Sequence, residues 1–147
     1  MNIGEIISVV TLLFGAVLGL SAMFSPAWAS RIVRLVEDPD PLRPGGYSEF
    51  RATYGGLFLF AHLMTAILVV NLSTGSEDIL TTLVVLPLAA GWVGAGTGRL
   101  MSLVFDRAKN REPGLIPIWI PMEIILGLAI AAPFLHFLLE SNRKNIP

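Results

Sequence analysis

A carboxylate and a guanidinium occur inside segments of this chain that are otherwise apolar. Glu123 lies within the run Leu115 to Leu139, and Arg99 lies near the end of the run Ile79 to Phe105. Burying either charge in hydrocarbon costs about 2.5–3.5 kcal/mol on membrane-insertion scales, so an opposite charge is expected nearby. Such a pair can hold an anion, relay protons or fix two helices in register.

The two charges are predicted to lie at similar depth in the membrane. Arg99 comes six residues before Phe105, which places it about 9 Å from that end of its helix at a rise of about 1.5 Å per residue. Glu123 comes eight residues after Leu115, about 12 Å from the same side. Because an arginine side chain is long enough to close this gap, the two groups are expected to meet.

Helical phase adds further polar residues to this pair. Arg51 and Tyr54 share one face at the start of the second apolar segment, while Ser102 and Asp106 continue the face of Arg99. The predicted site is a cytoplasm-facing group that we call the six-residue cluster: Arg51, Tyr54, Arg99, Ser102, Asp106 and Glu123.

The remaining chemistry-bearing residues favour neither a catalytic nor a metal centre. His62 lies near mid-membrane as a secondary candidate, where a lone histidine is expected to donate a hydrogen bond between helices. His136 is placed at another depth, which argues against a shared metal site. Ser102 has no histidine at its depth, and Glu123 has no second deep carboxylate. The chain has no cysteine and no nucleotide or zinc motif, so no cofactor or metal is expected.

Composition identifies the elements that position these residues as membrane helices. Of 147 residues, 54% are hydrophobic and 14% charged, against about 25% charged in soluble domains. The net charge of −1 gives no electrostatic basis for nucleic-acid binding. Four segments reach the length of about 20 residues that a span needs, at about 3–23, 52–72, 79–105 and 115–139. The sequence predicts an all-α, four-helix transmembrane bundle in a single domain, residues 1–147.

The connection between the first two spans predicts a short amphipathic helix at the membrane interface. From Pro26 onward, Trp28 and Leu35 share an apolar face with Ile32, while Arg31 and Arg34 are placed to meet headgroups. A turn-rich return, residues 38–46, follows.

Basic residues predict the orientation. Seven flank the spans in loops 24–51 and 106–114, against two on the side of the termini, so the positive-inside rule places both termini outside. Trp28 and Trp119 fit an aromatic belt on the cytoplasmic side. Because no Lys or Arg precedes the first span, we expect it to be retained rather than cleaved as a signal peptide.

Glycines and prolines predict how the spans pack and bend. Gly94 and Gly98 form a small-xxx-small face on span three, which we expect to pack within the bundle in preference to a dimer. Pro121 cannot donate to the carbonyl of Pro117, so span four is predicted to bend just before Glu123.

Three motifs together resemble the DUF4345 family of small bacterial four-span membrane proteins. They are Phe50-Arg-Ala-Thr-Tyr-Gly-Gly at the start of span two, Gly98-Arg-Leu-Met-Ser-Leu at the end of span three, and the lone Glu123 of span four. The function of that family is unknown, so the resemblance implies a fold and a bacterial inner-membrane location rather than an activity. It also implies characteristic positions at Arg51, Gly55, Gly56, Arg99, Ser102 and Glu123.

These features favour a binding or scaffold function. Two cluster arginines exceed the one deep carboxylate, and the excess charge is balanced either by Asp106 or Glu49 or by an anionic headgroup. The cluster is therefore expected either to organise the bundle or to attract a lipid-like or anionic small molecule. A small oligomeric transporter or proton-coupled carrier is the alternative, and a membrane enzyme is less favoured. Expected partners are membrane lipid, such a small molecule, and a second copy or another membrane protein.

Overall fold

The structure is a computed structural model that describes residues 1–33, 35, 47–74, 78–105 and 116–144. Of these residues, 92% are helical and none lies in a strand. The all-α prediction is therefore confirmed for the described chain. Four predicted features lie outside the described residues: Arg34, Asp106, the turn-rich return 38–46 and the basic loop 106–114.

The helices follow one another with short breaks. They are α1 (Ile3–Phe24), α2 (Pro26–Val33), α3 (Ser48–Phe50), a π-helical segment (Arg51–Leu57), α4 (Phe58–Leu72), α5 (Asp78–Val84), α6 (Leu86–Phe105), α7 (Ile116–Ile130) and α8 (Ala132–Lys144). Three stretches are long and apolar enough to cross a membrane: Ile3–Phe24, Ser48–Leu72 and Ile79–Phe105. The pair α7–α8, bent by 59°, makes a fourth if it is one span.

Most of the apolar surface of these stretches is exposed. The buried share of the most apolar window is 33%, 22% and 33% in the three continuous stretches. Val10, Phe60 and Phe105 are 62%, 65% and 76% exposed. Monomeric soluble proteins rarely expose so much contiguous apolar surface. Three to four such helices indicate a multi-pass membrane protein.

A reciprocal cap begins α1. The Asn2 side chain accepts a hydrogen bond from the Glu5 backbone N–H at 2.9 Å, and a Glu5 carboxylate oxygen accepts one from the Asn2 N–H at 2.7 Å. This capping box satisfies two donors that the first helical turn leaves without partners. It also explains why Glu5 is only 5% exposed.

The described chain divides into two compact units, which we describe separately. The large unit contains residues 1–11 and 67–147, and the small unit contains residues 12–66. That the whole chain is one domain stays a prediction.

In the small unit, α1 meets α4 through glycines. A Cβ on Gly15 would overlap the ring of His62, and a Cβ on Gly19 would overlap the backbone nitrogen of Leu59. The spacing Gly15-x-x-x-Gly19 therefore lets the two backbones approach closely, as small residues do between membrane helices. Around this crossing lie the buried apolar residues of the unit: Leu12, Ala16, Ala22 and Ala66.

In the large unit, α6 and α7 make the most extensive helix contact. A Cβ on Gly96 would lie 3.1 Å from the Ile120 carbonyl oxygen and 2.9 Å from a side-chain carbon of Ile124. A Cβ on Gly127 would lie 2.8 Å from the Ala89 carbonyl oxygen. Because later residues of α7 meet earlier residues of α6, the two helices are antiparallel.

The face predicted for α6 packing is the wrong one. Apart from the chain neighbours and the backbone of α6 itself, no described atom lies within 4 Å of a Cβ placed on Gly91, Gly94 or Gly98. Gly96 makes the contact instead, and it lies about 200° around the helix from Gly94, because successive residues are about 100° apart. The small-xxx-small spacing marks a face of α6 that no described residue covers.

The bend in the last apolar stretch also differs from the prediction. We expected it just before Glu123, but α7 continues as a helix through Pro121. The carbonyl that Pro121 leaves without a partner is that of Pro117, in the first turn of α7, where the loss disrupts little of the helix. The break comes instead at Ala131, between α7 and α8.

Pro133 and the N-terminal turns of α1 explain this break. Pro133 has no N–H to donate to the carbonyl of Ala129, four residues earlier, and its ring crowds that turn, so the helix breaks just before it. The carbonyl oxygen of Ile130 accepts a hydrogen bond from the hydroxyl of Ser8 at 2.8 Å, and both residues are 0% exposed. Gly4 lies beside the carbonyl of Ala132, where a Cβ would be 2.8 Å from its oxygen. The backbone at the break is therefore satisfied from α1.

Candidate functional site

Arg99 and Glu123 form an ion pair between α6 and α7, as depth counting predicted. The Nε–H of Arg99 donates to both carboxylate oxygens of Glu123, at 2.8 and 2.9 Å. Gly96, one turn before Arg99, brings the helices close enough for this contact, since a Cβ there would lie 3.5 Å from the Glu123 Cβ. The glycine that packs α6 on α7 therefore also positions the pair.

The two partners differ in burial. The Glu123 side chain is 6% exposed, whereas that of Arg99 is 29% exposed. A carboxylate this buried needs charge-assisted hydrogen bonds to offset its desolvation, and Arg99 supplies them through one N–H group. The two terminal amino groups of Arg99 make no hydrogen bond to any described residue. These two groups form the fork with which an arginine recognises carboxylate or phosphate, and Glu123 does not use it.

Trp119 carries a second donor at about the same level of the helix pair. It lies one helical turn before Glu123 on α7, and its indole nitrogen is buried without a hydrogen-bond partner among the described residues. In the antiparallel register set by Gly96 and Ile120, position 119 falls at about the level of Arg99. A buried N–H without an acceptor is uncommon and costs about 1–3 kcal/mol of stability, so its presence requires an explanation. The sequence pattern predicts only an interfacial position for Trp119.

Two further predicted members of the six-residue cluster, Ser102 and Asp106, follow Arg99 in the sequence. Ser102 lies one turn beyond Arg99 on α6 and is half-buried. Asp106 lies outside the described residues. Helical phase alone supports their membership, which stays a prediction.

The structure gives Arg51 and Tyr54, both in the small unit, contacts of their own. The Arg51 guanidinium donates a hydrogen bond to the backbone carbonyl of Met23, in the last turn of α1. A cation there satisfies an otherwise unpaired helix carbonyl and opposes the negative end of the helix dipole. The Tyr54 ring stacks on Phe50 with centroids 4.9 Å apart and is 38% exposed. Their membership of the six-residue cluster stays a prediction.

The π-helical segment places these two residues. It runs from Arg51 to Leu57, through the residue run that resembles the family motif. Gly55 lies within it against α1, where a Cβ would be 2.9 Å from the Met23 Cα. Wider helical turns of this kind are rare and often occur at functional sites.

His62 is fully buried and bonded within its own helix. Its Nδ1–H donates to the carbonyl of Phe58 at 2.7 Å. The centroids of the His62 and Phe58 rings lie 4.4 Å apart. The ring fills the space over Gly15. A packing role between α4 and α1 accounts for this histidine.

Sequence reasoning missed two polar contacts that fix the helices. The first is the Asn2–Glu5 cap, which the Asn-x-x-Glu spacing before an apolar run could have indicated. The second is the bond from Ser8 to Ile130, which joins residues 122 positions apart and has no local signal. Among the described residues, no group of three His, Cys, Asp or Glu side chains could hold a metal ion.

No family model, curated protein or solved structure matches this chain. The resemblance to the DUF4345 family therefore stays a prediction, and the function has to be argued from the site.

Proposed function

We propose that this protein is a small membrane protein that binds an anionic group, belonging to a lipid or a lipid-like small molecule, at Arg99. The observation that carries the proposal is that Glu123 engages Arg99 through Nε alone. The buried carboxylate fixes the guanidinium in place, while no described residue bonds its terminal fork and the side chain is 29% exposed. Fixing a cation before the ligand arrives lowers the entropy cost of binding.

The unpartnered indole of Trp119 supports the same proposal. An anion bound at Arg99 would also provide the acceptor that this N–H lacks among the described residues, because position 119 falls at about the level of Arg99. A second donor to the same ligand would distinguish a binding site from an ion pair that only joins helices.

We further propose that α7 and α8 together make the fourth span of a four-helix bundle, and that α2 lies in the membrane interface. The exposed residues of α2 and its C-terminal extension support this placement, since Trp28 and Leu35 are 55% and 46% exposed and Arg31 is exposed beside them. The excess of basic residues in the two predicted cytoplasmic loops supports a bacterial inner-membrane topology with both termini outside.

Substitution of Arg99 tests the binding proposal. Arg99→Gln removes the cation, and Arg99→Lys keeps one charge but loses the separate Nε and fork, so its ammonium cannot serve Glu123 and an anion equally. We expect both variants to lose one bound molecule of the anionic lipid phosphatidylglycerol, through an affinity at this site about 10-fold lower than in the parent protein, the size expected for charge-assisted hydrogen bonds. Native mass spectrometry of the detergent-purified protein measures the retention.

A matched control and a second measurement separate binding from structure. Arg143→Gln removes an exposed arginine on α8 and should leave retention unchanged. Thermal unfolding reports whether each variant is still folded. Folded Arg99→Lys protein that keeps parental retention would mean that the pair only joins α6 to α7, and the binding proposal would be abandoned.

The carrier alternative is favoured by one observation, the break between α7 and α8. Discontinuous membrane helices often border substrate and ion sites in transporters. Here, however, the Ile130 carbonyl at the break is already bonded to Ser8, which leaves it satisfied. A pH-dependent flux in proteoliposomes that disappears in Glu123→Gln would establish the carrier function over simple binding.

A further inference from the structure

A groove lies at the corner between α1 and α2, within the small unit. It is an open groove of about 390 Å³, lined by Leu20, Ser21, Phe24, Ser25 and Trp28. This volume falls within the range of small-ligand sites. The groove shares no residue with the Arg99–Glu123 pair, so its role is independent of the proposed function.

The walls of the groove are amphipathic. Leu20, Phe24 and Trp28 supply apolar surface and are 44%, 73% and 55% exposed. The hydroxyl of Ser21 donates to the Val17 carbonyl of its own helix at 2.8 Å, while Ser25 lies exposed between the helices. Apolar surface beside a hydroxyl-bearing corner suits a molecule with a hydrocarbon part and a polar part.

Positive charge flanks the same corner. Arg31 lies one turn beyond Trp28 on α2 and is exposed. The Arg51 guanidinium sits on the Met23 carbonyl, next to Phe24 in the chain. Glu49 is the only acidic side chain that the structure describes in this unit, so the described charge around the corner is positive.

We propose that this groove holds one anionic phospholipid from the surrounding bilayer. Its acyl chain lies against Leu20, Phe24 and Trp28, and Arg31 attracts its phosphate. A tryptophan and an arginine at a membrane interface are suited to these two parts of a lipid. The bound lipid would then hold the corner between α1 and α2 at the level of the lipid headgroups.

Competition between two lipids tests this proposal. Detergent-purified protein is offered equimolar phosphatidylglycerol and phosphatidylcholine, and native mass spectrometry gives the ratio of the retained lipids. The measurement is made on Arg99→Gln protein, so that a lipid at the other proposed site does not contribute. We expect phosphatidylglycerol to be preferred, and Arg31→Gln to lower the preference about five-fold, the effect of one interfacial basic residue. Arg31→Lys should retain it.

Two variants of the groove wall separate a seated lipid from a general surface charge. Ser21→Phe fills the groove and Trp28→Ala removes one wall, both without changing charge, and each should abolish the preference. The second variant covers the case in which the first does not fold. Arg143→Gln and Phe137→Ala on α8 should have no effect. The proposal is overturned if the two lipids are retained equally, if Arg31→Gln keeps the preference, or if folded groove variants keep it.

A second copy of the chain is the competing occupant. The protein has no cysteine, so Ser25→Cys provides a single thiol beside the groove. Efficient disulfide formation between two Ser25→Cys chains in vesicles would assign the groove to a protein interface and overturn the lipid proposal. We expect no such cross-link.

Discussion

At the scale of single residues, Glu123 is a buried charge that depends on a single partner. Its carboxylate is 6% exposed, and both oxygens depend on one N–H of Arg99. We expect Glu123→Gln to lower the unfolding free energy by about 1–3 kcal/mol, less than for a fully buried pair because Arg99 still reaches the surface. The measurement is thermal or denaturant unfolding in detergent.

Glu140→Gln is the control for this prediction. Glu140 lies on α8 with a side chain 59% exposed, 3.8 Å from His136, so its loss should change stability very little. Equal stability of the two variants would show that the deep pair contributes nothing to folding.

Trp119 offers a prediction whose two readouts are expected to differ. Trp119→Phe removes the buried N–H that has no acceptor in the described chain and keeps an aromatic ring, although a smaller one. We expect stability to change by less than about 1 kcal/mol, because the loss of an unsatisfied donor offsets the packing that the smaller ring loses. Retention of phosphatidylglycerol should fall if the indole donates to the ligand. A variant with clearly lower stability and unchanged retention would contradict this assignment.

At the scale of helices, two glycines with opposite surroundings give a matched pair. A Cβ on Gly127 would lie 2.7 Å from a methyl group of Val93 and 2.8 Å from the Ala89 carbonyl oxygen. One on Gly94 would meet no described atom within 4 Å. We expect Gly127→Ala to destabilise by about 1–3 kcal/mol through overpacking. Gly94→Ala should be neutral or stabilising by about 0.5–1 kcal/mol. Unfolding in detergent compares the two, and a Gly127→Ala protein as stable as Gly94→Ala would contradict the observed packing of α6 on α7.

The break between α7 and α8 depends on one hydroxyl. Ser8→Ala leaves the buried Ile130 carbonyl without its donor, which should cost about 1–3 kcal/mol. Ser21→Ala is the control, because its hydroxyl only shares a carbonyl of its own helix and its loss should cost much less. Similar unfolding temperatures for the two variants would show that Ser8 does not hold the break.

Particular helices show what periodicity could and could not predict. The Arg99–Glu123 contact was predictable because depth follows from a constant rise along each helix. The packing glycine was not, because the spacing of Gly94 and Gly98 identifies a face but not the helix that covers it. Arg51 was placed in a cluster by phase, yet its observed partner is the end of α1, whose position no local pattern encodes. Pro133 is a local signal for the break at Ala131, but the hydroxyl that satisfies the Ile130 carbonyl there comes from Ser8, which is distant in sequence.

At the scale of the whole molecule, the topology depends on whether α7 and α8 cross the membrane as one span. Four spans put both termini and the connection between α4 and α5 on one side, whereas a pair that turns back at its 59° bend puts the C-terminal end on the other. Because the chain has no cysteine, single thiols can report the sides. Thr74→Cys, Ser141→Cys and Ser25→Cys sit at exposed positions near α4, on α8 and after α1.

We expect the Thr74→Cys and Ser141→Cys proteins to react with a membrane-impermeant maleimide from the same side of oriented vesicles, and Ser25→Cys from the other. The unsubstituted protein should not react at all. By the distribution of basic residues, the side shared by the first two should be the outside. If Ser141→Cys instead reacts together with Ser25→Cys, then α7 and α8 return to the side from which they entered, the chain has three spans, and Glu123 lies in a re-entrant helix pair. Arg99 and Glu123 would keep their contact in either case, because it forms between α6 and α7 before the bend. The labelling pattern therefore distinguishes four spans from three, and either result is compatible with the Arg99–Glu123 contact.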